Sequence, residues 1–357
     1  LTQKENSEEI VAATRRWGGR HGRTITMMAI PAVIGWVPMP AGALFSAPFV
    51  EQVTDHNEIE AEWKCSVNYW FRHIWEYWWP LYPGVIVAIS VFEIETWKFI
   101  STQFLFTPVA IIAGYHFLIR VHAKRLASMD NVFTERTNNG NRFFVLILPI
   151  IIVIAGMLIF PFILTYFIPN ISRQICKMIG IDLGLGVAIF VIYLDMLRRH
   201  NVTLFRKILS LRTVNVIISL SGVLIFKYLL TRSGLLPLAG NELVRSGIPI
   251  TGAIVILPFL AGMVTGLAVG FTGTSFPLIF GLMNASNSGL TPLSTLALAY
   301  VCGYAGMMLS PVHLCLLVTK DFFSASMRRI IKNIWPMVFV MIIFGSILHI
   351  ILRILKL

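Results

Sequence analysis

The stretch YWFRHIWEYWWP at residues 69–80 aligns without gaps on YVCGYAGMMLSP at residues 300–311, with tyrosine first and proline last in both. Upstream of these stretches, IPAVIGWV at 30–37 matches LPFLAGMV at 257–264, again with proline and glycine in register. The matched segments follow in the same order in the two parts of the chain. The alignment therefore predicts an internal repeat.

Each aligned stretch ends at a proline that interrupts an apolar segment. Residues 67–92 are interrupted at Pro80 and Pro83, and residues 291–319 at Pro311. Proline removes a helix hydrogen bond, and lipid offers no other partner for the backbone groups that are released. The sequence predicts two discontinuous membrane helices whose breaks face protein or a watery cavity.

The apolar segment 24–50 is interrupted by Pro38, Pro40 and Gly42. About a dozen apolar residues remain on each side, whereas a helix needs about 20 to cross a membrane. Neither arm can cross alone, so the segment is predicted to be a re-entrant hairpin.

The segment 248–283 has the same plan. Gly266, Gly270 and Gly273 are clustered in its middle, and Pro277 is expected to open the return arm. This segment is the second predicted re-entrant hairpin.

The other apolar segments carry no such interruption, and each is long enough for a membrane helix. They cover residues 99–119, 143–168, 180–197, 214–231 and 334–352.

Composition agrees with a chain that lies mostly in lipid. Hydrophobic residues make up 56% and charged residues 13% of 357 residues, with a mean hydropathy of +0.76. An ordinary soluble domain has about 25% charged residues. The fold class is therefore an all-α polytopic membrane protein. The net charge of +12 does not indicate nucleic acid as a partner, because the basic residues cluster in short loops between apolar segments.

The distribution of Lys and Arg predicts the orientation, since cytoplasmic loops carry an excess of both. One set of alternate loops holds 20 of the 29 basic residues. This cytoplasmic set comprises residues 1–23, 51–66, 120–142, 198–213 and 320–332. The expected location is the cell inner (plasma) membrane, with many crossings. The two hairpins then enter from opposite faces, which predicts an inverted repeat.

The chain divides into a cytoplasmic basic segment at 1–23, a partial first repeat at 24–122, a cytoplasmic linker at 123–142 and a second repeat at 143–357. Three continuous helices precede the hairpin in the second repeat, and none precedes it in the first. We expect about three further helices ahead of residue 1 in the complete protein, by symmetry of the inverted repeats.

Three motifs carry a family resemblance: PMPAGALFSAPFV at 38–50, NYWFRHIWEYWWPLYPG at 68–84 and GYAGMMLSPVHLCLLVTKDFF at 303–323. They resemble the membrane-protein family catalogued as domain of unknown function 401, in the ion-transporter superfamily with dicarboxylate, citrate, gluconate, lactate and Na+/H+ carriers. The resemblance implies the fold of that superfamily, a homodimer and an elevator-type transporter. Family members begin with extra apolar helices, which this sequence lacks.

Half-helices that end inside the membrane offer dipoles to anions and carbonyls to cations. Small and hydroxyl-bearing residues at the two hairpin tips are therefore candidates for substrate binding, although small residues also permit close helix packing. The candidates are Pro38, Pro40, Gly42 and Ser46 in the first hairpin, and Thr272, Gly273, Thr274 and Ser275 in the second.

Arg72, His73 and Glu76 lie in an otherwise apolar and aromatic stretch, where charges are costly. A functional interpretation has Arg72 meeting an anionic substrate, with His73 or Glu76 coupling its movement to an ion. The structural interpretation is an Arg72–Glu76 pair four residues apart on one helical face. His313 follows the predicted break at Pro311 and is a further substrate-binding candidate, although a histidine there can also simply cap carbonyls. Asn68 is another candidate, because its amide can hydrogen-bond a substrate.

The leading hypothesis is a secondary active transporter of a small, carboxylate-like anion, with Na+ or H+ as the coupling ion in symport or antiport. The alternatives are a Na+/H+ antiporter and, in other classes, an intramembrane enzyme or a non-transporting structural subunit. GxxxxGK[ST] is absent, and His73-x-x-Glu76 lacks the second histidine of a zinc motif, so we expect neither a primary pump nor an enzyme. Apart from Na+, no cofactor is expected.

The four cysteines show neither a CxxC pair nor the spacing of metal ligands, so packing roles and no metal are expected. They are Cys65, Cys176, Cys302 and Cys315.

Overall fold

The computed structural model describes residues 22–36, 38, 42–54, 59–123, 249–285 and 289–357, with eight isolated positions between 163 and 233. The predicted helices 143–168, 180–197 and 214–231 and the basic segment 1–23 lie almost wholly outside the described residues, as does Pro40.

All regular structure in the described residues is helical, as predicted from composition. The helices are α1 Gly22–Gly35, α2 Ala43–Val53, α3 Ala61–Arg72, α4 Pro83–Phe92, α5 Thr96–Gln103, α6 Phe106–Gly114, α7 Ile250–Thr265, α8 Ala268–Ala285, α9 Pro292–Leu309, α10 Leu314–Phe323 and α11 Met327–Ile354. A π-helical turn, Tyr115–Ile119, continues α6.

Three helical stretches are long and apolar enough to cross a membrane: Thr96–Ala123, Pro292–Phe323 and Met327–Ile354. The last of them, α11, carries exposed Ile343, Ile347, Ile350 and Ile354 along one face. A stripe of exposed isoleucines at this spacing suits contact with lipid, so the chain is a membrane protein.

The first predicted hairpin corresponds to α1 and α2, with the interruption between Gly35 and Ala43. The helices have 14 and 11 residues, or about 21 and 17 Å at 1.5 Å per residue. Both are shorter than the hydrocarbon layer of about 30 Å.

The second hairpin turns at Gly266, and the expectation of a wider glycine-rich tip is wrong. Gly266 has φ 61°, the left-handed conformation that ends α7, and α8 begins two residues later. Gly270, Gly273 and Pro277 all lie inside α8. A single left-handed residue suffices to reverse a helix end, and glycine adopts that conformation without a steric penalty.

The first discontinuous helix breaks earlier than its prolines indicate. Helix α3 ends at Arg72, and α4 begins at Pro83. The expectation that Arg72 and Glu76 share a helical face is therefore wrong, because His73 to Tyr82 form a series of turns. The second break lies where it was expected, between Leu309 at the end of α9 and Leu314 at the start of α10.

Two tryptophans in the first break donate hydrogen bonds to backbone carbonyls near the end of α1. The indole N–H of Trp75 donates to the Ala32 carbonyl at 2.8 Å, and that of Trp79 donates to the Trp36 carbonyl at 3.1 Å. These bonds connect the break to the end of α1.

Helix α9 lies in the interior of the described structure. Every residue from Ser294 to Met308 in this helix is buried.

Contacts between Cα atoms divide the chain into two compact units. One comprises Thr14–Phe133 with Val216–Leu357, and the other Leu1–Ala13 with Thr134–Asn215. All eleven helices named above lie in the first unit, so both hairpin segments and both discontinuous helices belong to one compact body.

Candidate functional site

The two helix breaks meet in the interior, where tyrosines of one discontinuous helix bond to the backbone of the other. The Tyr304 and Tyr300 hydroxyls donate to the carbonyls of His73 and Glu76, both at 2.7 Å. In return, the Tyr69 hydroxyl donates to the Met308 carbonyl at 3.1 Å. Carbonyls that a continuous helix would have used internally thus gain partners across the break.

Three of the predicted polar residues lie at the first break and are buried. Arg72 and His73 are 1% exposed and Glu76 is 7% exposed. The Arg72 Nη1 atom donates to the Tyr82 hydroxyl at 3.0 Å, and that hydroxyl donates to the Gly35 carbonyl at 2.5 Å. Arg72 is thereby connected to the end of α1, where the first hairpin is interrupted.

His73 joins the two breaks directly. Its Nδ1 lies 2.6 Å from the Tyr69 carbonyl oxygen, and its Nε2 lies 3.2 Å from Nε2 of His313. The same Nε2 is 3.8 Å from the Glu76 Oε1 atom. His313 is the residue that precedes α10, so the structure brings together His73, Glu76 and His313 as one polar cluster in the interior.

Cys315 completes this cluster from the second residue of α10. Its Sγ and one ring nitrogen of each of His73 and His313 all lie within 4.8 Å of one another. Sequence spacing gave no sign of a metal site, because the ligand types come from segments more than two hundred residues apart. His313 and Cys315 are two residues apart in the sequence, but this pair alone is too short a pattern to indicate a metal site.

A second polar group surrounds the start of α2. Asn68 Nδ2 donates to the Ala43 carbonyl at 2.8 Å, and Ser46 Oγ donates to the same carbonyl at 3.2 Å. Gly42 is the residue that precedes this helix. The Asn68 Oδ1 atom is buried and has no hydrogen-bond partner among the described residues. Gly42, Ser46 and Asn68 thus lie together beside the interruption of the first hairpin.

The second-hairpin candidates have a different setting. Thr272, Thr274 and Ser275 lie inside α8, beyond the turn at Gly266. Their hydroxyls donate to carbonyls four residues earlier in the same helix, at 2.9, 2.7 and 2.6 Å. Thr274 is exposed, whereas Thr272 and Ser275 are buried. The described contacts do not bring these three residues to the polar cluster.

The tyrosines are the site residues that the sequence interpretation missed. Tyr69, Tyr82, Tyr300 and Tyr304 supply the hydroxyls that order both breaks. Tyr69 and Tyr300 begin the aligned stretches, and that equivalence was the available signal.

Among known proteins, one family matches nearly the whole chain. A search of curated proteins finds no match. The model of a family described as "Protein of unknown function (DUF401)" matches residues 21–352, and the chain belongs to that family.

Proposed function

We propose that this chain is a secondary active transporter of a small anion, coupled to a Na+ or H+ gradient. The observation that carries the proposal is the meeting of two helix breaks around a buried arginine. Helices α4 and α10 each begin at a break, and a helix N-terminus favours negative charge. Together with the Arg72 guanidinium, these ends form an environment suited to a carboxylate.

Matching contacts in the two parts of the chain support a duplicated structural unit. Trp79 Nε1 bonds to the Trp36 carbonyl, and Ser310 Oγ bonds to the Met263 carbonyl at 2.7 Å. In the gapless alignment Trp79 corresponds to Ser310, and Trp36 corresponds to Met263. The same backbone position thus accepts a bond from the same position of the discontinuous helix in both halves.

Two aligned glycines also make equivalent contacts in the two parts of the chain. A Cβ on Gly35 would collide with the Arg72 carbonyl oxygen, and one on Gly262 would collide with the Gly303 carbonyl oxygen. Gly35 aligns with Gly262, and Arg72 aligns with Gly303. Two independent pairs of contacts at aligned positions are strong support for a duplicated unit of hairpin and discontinuous helix.

The proposed mechanism is of the elevator type. In this proposal both hairpin segments and both discontinuous helices move together as one body against the remaining helices and carry the bound anion across the bilayer. The hairpins enter from opposite faces in this proposal, and the protein works as a homodimer in the plasma membrane. The coupling roles expected of His73 and Glu76 stay predictions.

Purified protein tests the proposal in two stages. Thermal-shift measurements with dicarboxylates, citrate, gluconate, lactate and Na+ identify the ligand. Uptake of that anion into proteoliposomes is then measured under an imposed Na+ or pH gradient. We expect accumulation that collapses when the gradient is removed.

The alternatives give different results in the same vesicles. A Na+/H+ antiporter dissipates an imposed pH gradient when Na+ alone is added, without any organic anion. A non-transporting subunit shows neither anion uptake nor dissipation of the pH gradient with any tested substrate. That outcome would overturn the transport proposal.

A further inference from the structure

Three side chains of the types that commonly bind transition metals lie together in the polar cluster. They come from two distant parts of the chain. His73 follows α3, whereas His313 and Cys315 begin α10. One ring nitrogen of each histidine and the Cys315 Sγ all lie within 4.8 Å of one another, and all three residues are buried. We propose that His73, His313 and Cys315 bind one Zn2+-type cation that links the two helix breaks.

The spacing of the histidines suits a shared tetrahedral metal. With Zn–N bonds of about 2.0–2.1 Å, two imidazole nitrogens on one zinc lie about 3.3 Å apart. The Nε2 atoms of His73 and His313 are 3.2 Å apart. A zinc-bound thiolate lies about 3.6 Å from such a nitrogen, and the Cys315 Sγ lies within 4.8 Å of both histidine nitrogens, so binding would bring it closer by up to about 1.2 Å.

His73 is held in the tautomer that a metal requires. Its Nδ1 lies 2.6 Å from the Tyr69 carbonyl oxygen, and a carbonyl oxygen can only accept. Nδ1 therefore carries the proton, and the lone pair lies on Nε2, on the side of His313. Metal-ligating histidines commonly donate their other N–H to a carbonyl in this way, which fixes the ring and raises its basicity.

Glu76 lies beside this set but is not one of the three residues whose ligand atoms lie within 4.8 Å of one another. Its Oε1 lies 3.8 Å from the His73 Nε2 atom, and its side chain is 10% exposed. The set of two nitrogens and one sulfur matches the preferences of Zn2+, whereas Mg2+ prefers oxygen ligands.

A cation bound at this site would join the two helix breaks. This consequence does not depend on the transport proposal. The bridged histidines are 240 residues apart in the chain. Because a cation bound in the folded protein contributes its binding free energy to stability, it would fasten the break after α3 to the start of α10. The competing interpretation of the same 3.2 Å distance is a hydrogen bond between two neutral histidines, without metal.

Cobalt titration distinguishes these interpretations. The purified full chain is stripped with a chelator and titrated with Co2+, which reports a tetrahedral thiolate site through its visible bands and its sulfur-to-cobalt charge-transfer band. We expect one Co2+ per chain. Cys315→Ser should abolish the charge-transfer band and weaken binding at least about tenfold. Cys302→Ser is the matched control, because Cys302 is also buried but is not part of the three-residue cluster, and it should keep the band.

X-ray absorption of the zinc-loaded wild-type chain provides a readout that does not depend on any variant folding. We expect one sulfur at about 2.3 Å and imidazole nitrogens at about 2.0 Å. The proposal is overturned if the wild-type chain binds no metal, if the bound metal has no sulfur ligand, or if the cobalt band survives in Cys315→Ser. None of these outcomes bears on anion uptake, so the transport proposal is tested separately.

Discussion

Arg72 places a full positive charge in the interior, at the last residue of α3, where it is 1% exposed. Burying a charge is costly unless partner groups replace the lost water. The Tyr82 hydroxyl, 3.0 Å from Nη1, is one such partner. In the transport proposal the anionic substrate is another, so the affinity for the anion depends on this guanidinium.

Arg72→Gln is expected to weaken anion binding about 10- to 150-fold, since hydrogen bonds to charged groups contribute about 1.5–3 kcal/mol. The measurement is the anion-induced thermal shift of the purified protein, followed by uptake in vesicles. Arg329→Gln is the control, because that side chain is 75% exposed and lies 3.6 Å from Glu62, away from the polar cluster. Unchanged anion affinity in Arg72→Gln would remove the residue from the binding site.

Tyr300→Phe tests the hydrogen bonds that order the first break. The variant keeps the aromatic ring but removes the donor to the Glu76 carbonyl, which lies 2.7 Å from the hydroxyl in the buried interior. Leaving a buried acceptor without its donor costs about 1–3 kcal/mol, so the melting temperature should fall. Tyr115→Phe, at an exposed position on the π-helical turn, should leave it unchanged. Equal melting temperatures for both variants would show that this bond is dispensable.

At the scale of single elements, proline located the second break but not the first. The break after Leu309 coincides with Ser310 and Pro311. In the first case α3 already ends at Arg72, eight residues before Pro80. The reason is tertiary, because carbonyls of the break accept hydrogen bonds from tyrosines of α9, and its indole groups donate to carbonyls at the end of α1 and just after it. Local sequence patterns do not contain the position of those carbonyls.

In the second hairpin, the glycines alone did not predict where the turn lies. Three glycines were predicted to form its tip, yet only Gly266 has a positive φ. Gly270 instead allows the Thr265 side chain to pack against the start of α8. Glycine for a turn and glycine for close packing are identical in sequence, and only the neighbouring atoms distinguish them.

Gly262→Ala tests the close approach of α7 to α9. The added Cβ would collide with the Gly303 carbonyl oxygen and lie 2.8 Å from the Met307 nitrogen. Overpacking of this kind costs about 1–3 kcal/mol, so the variant should melt at a lower temperature. Gly252→Ala lies in the same helix, where the nearest atom to the added Cβ would be Pro249 Cγ at an ordinary 3.6 Å, and should be neutral or slightly stabilising. A Gly262→Ala protein as stable as Gly252→Ala would contradict the close packing.

At the scale of the whole molecule, the sequence predicted a relation between two segments, but it did not predict the polar cluster that they form. The aligned tyrosines predicted that two segments are related, and their contacts show that each segment bonds to the other. The cluster depends on pairs such as Tyr304 with the His73 carbonyl, 231 residues away. A tyrosine in an apolar helix also looks like ordinary core packing, so its hydroxyl gave no local signal.

The orientation of the molecule gives the last prediction. Helix α11 has 28 residues, or about 42 Å, which exceeds the hydrocarbon layer of about 30 Å. Arg329 and Lys356, at its two ends, must then lie on opposite sides of the membrane. The excess of basic residues in 320–332 predicts that Arg329 lies in the cytoplasm. In intact cells, a membrane-impermeant thiol reagent should label Lys356→Cys directly and Arg329→Cys only after permeabilisation. The three described native cysteines are buried, and the unsubstituted chain gives the background. Labelling of both positions from outside would rule out α11 as a membrane crossing, and the reverse pattern would show that the predicted orientation is inverted.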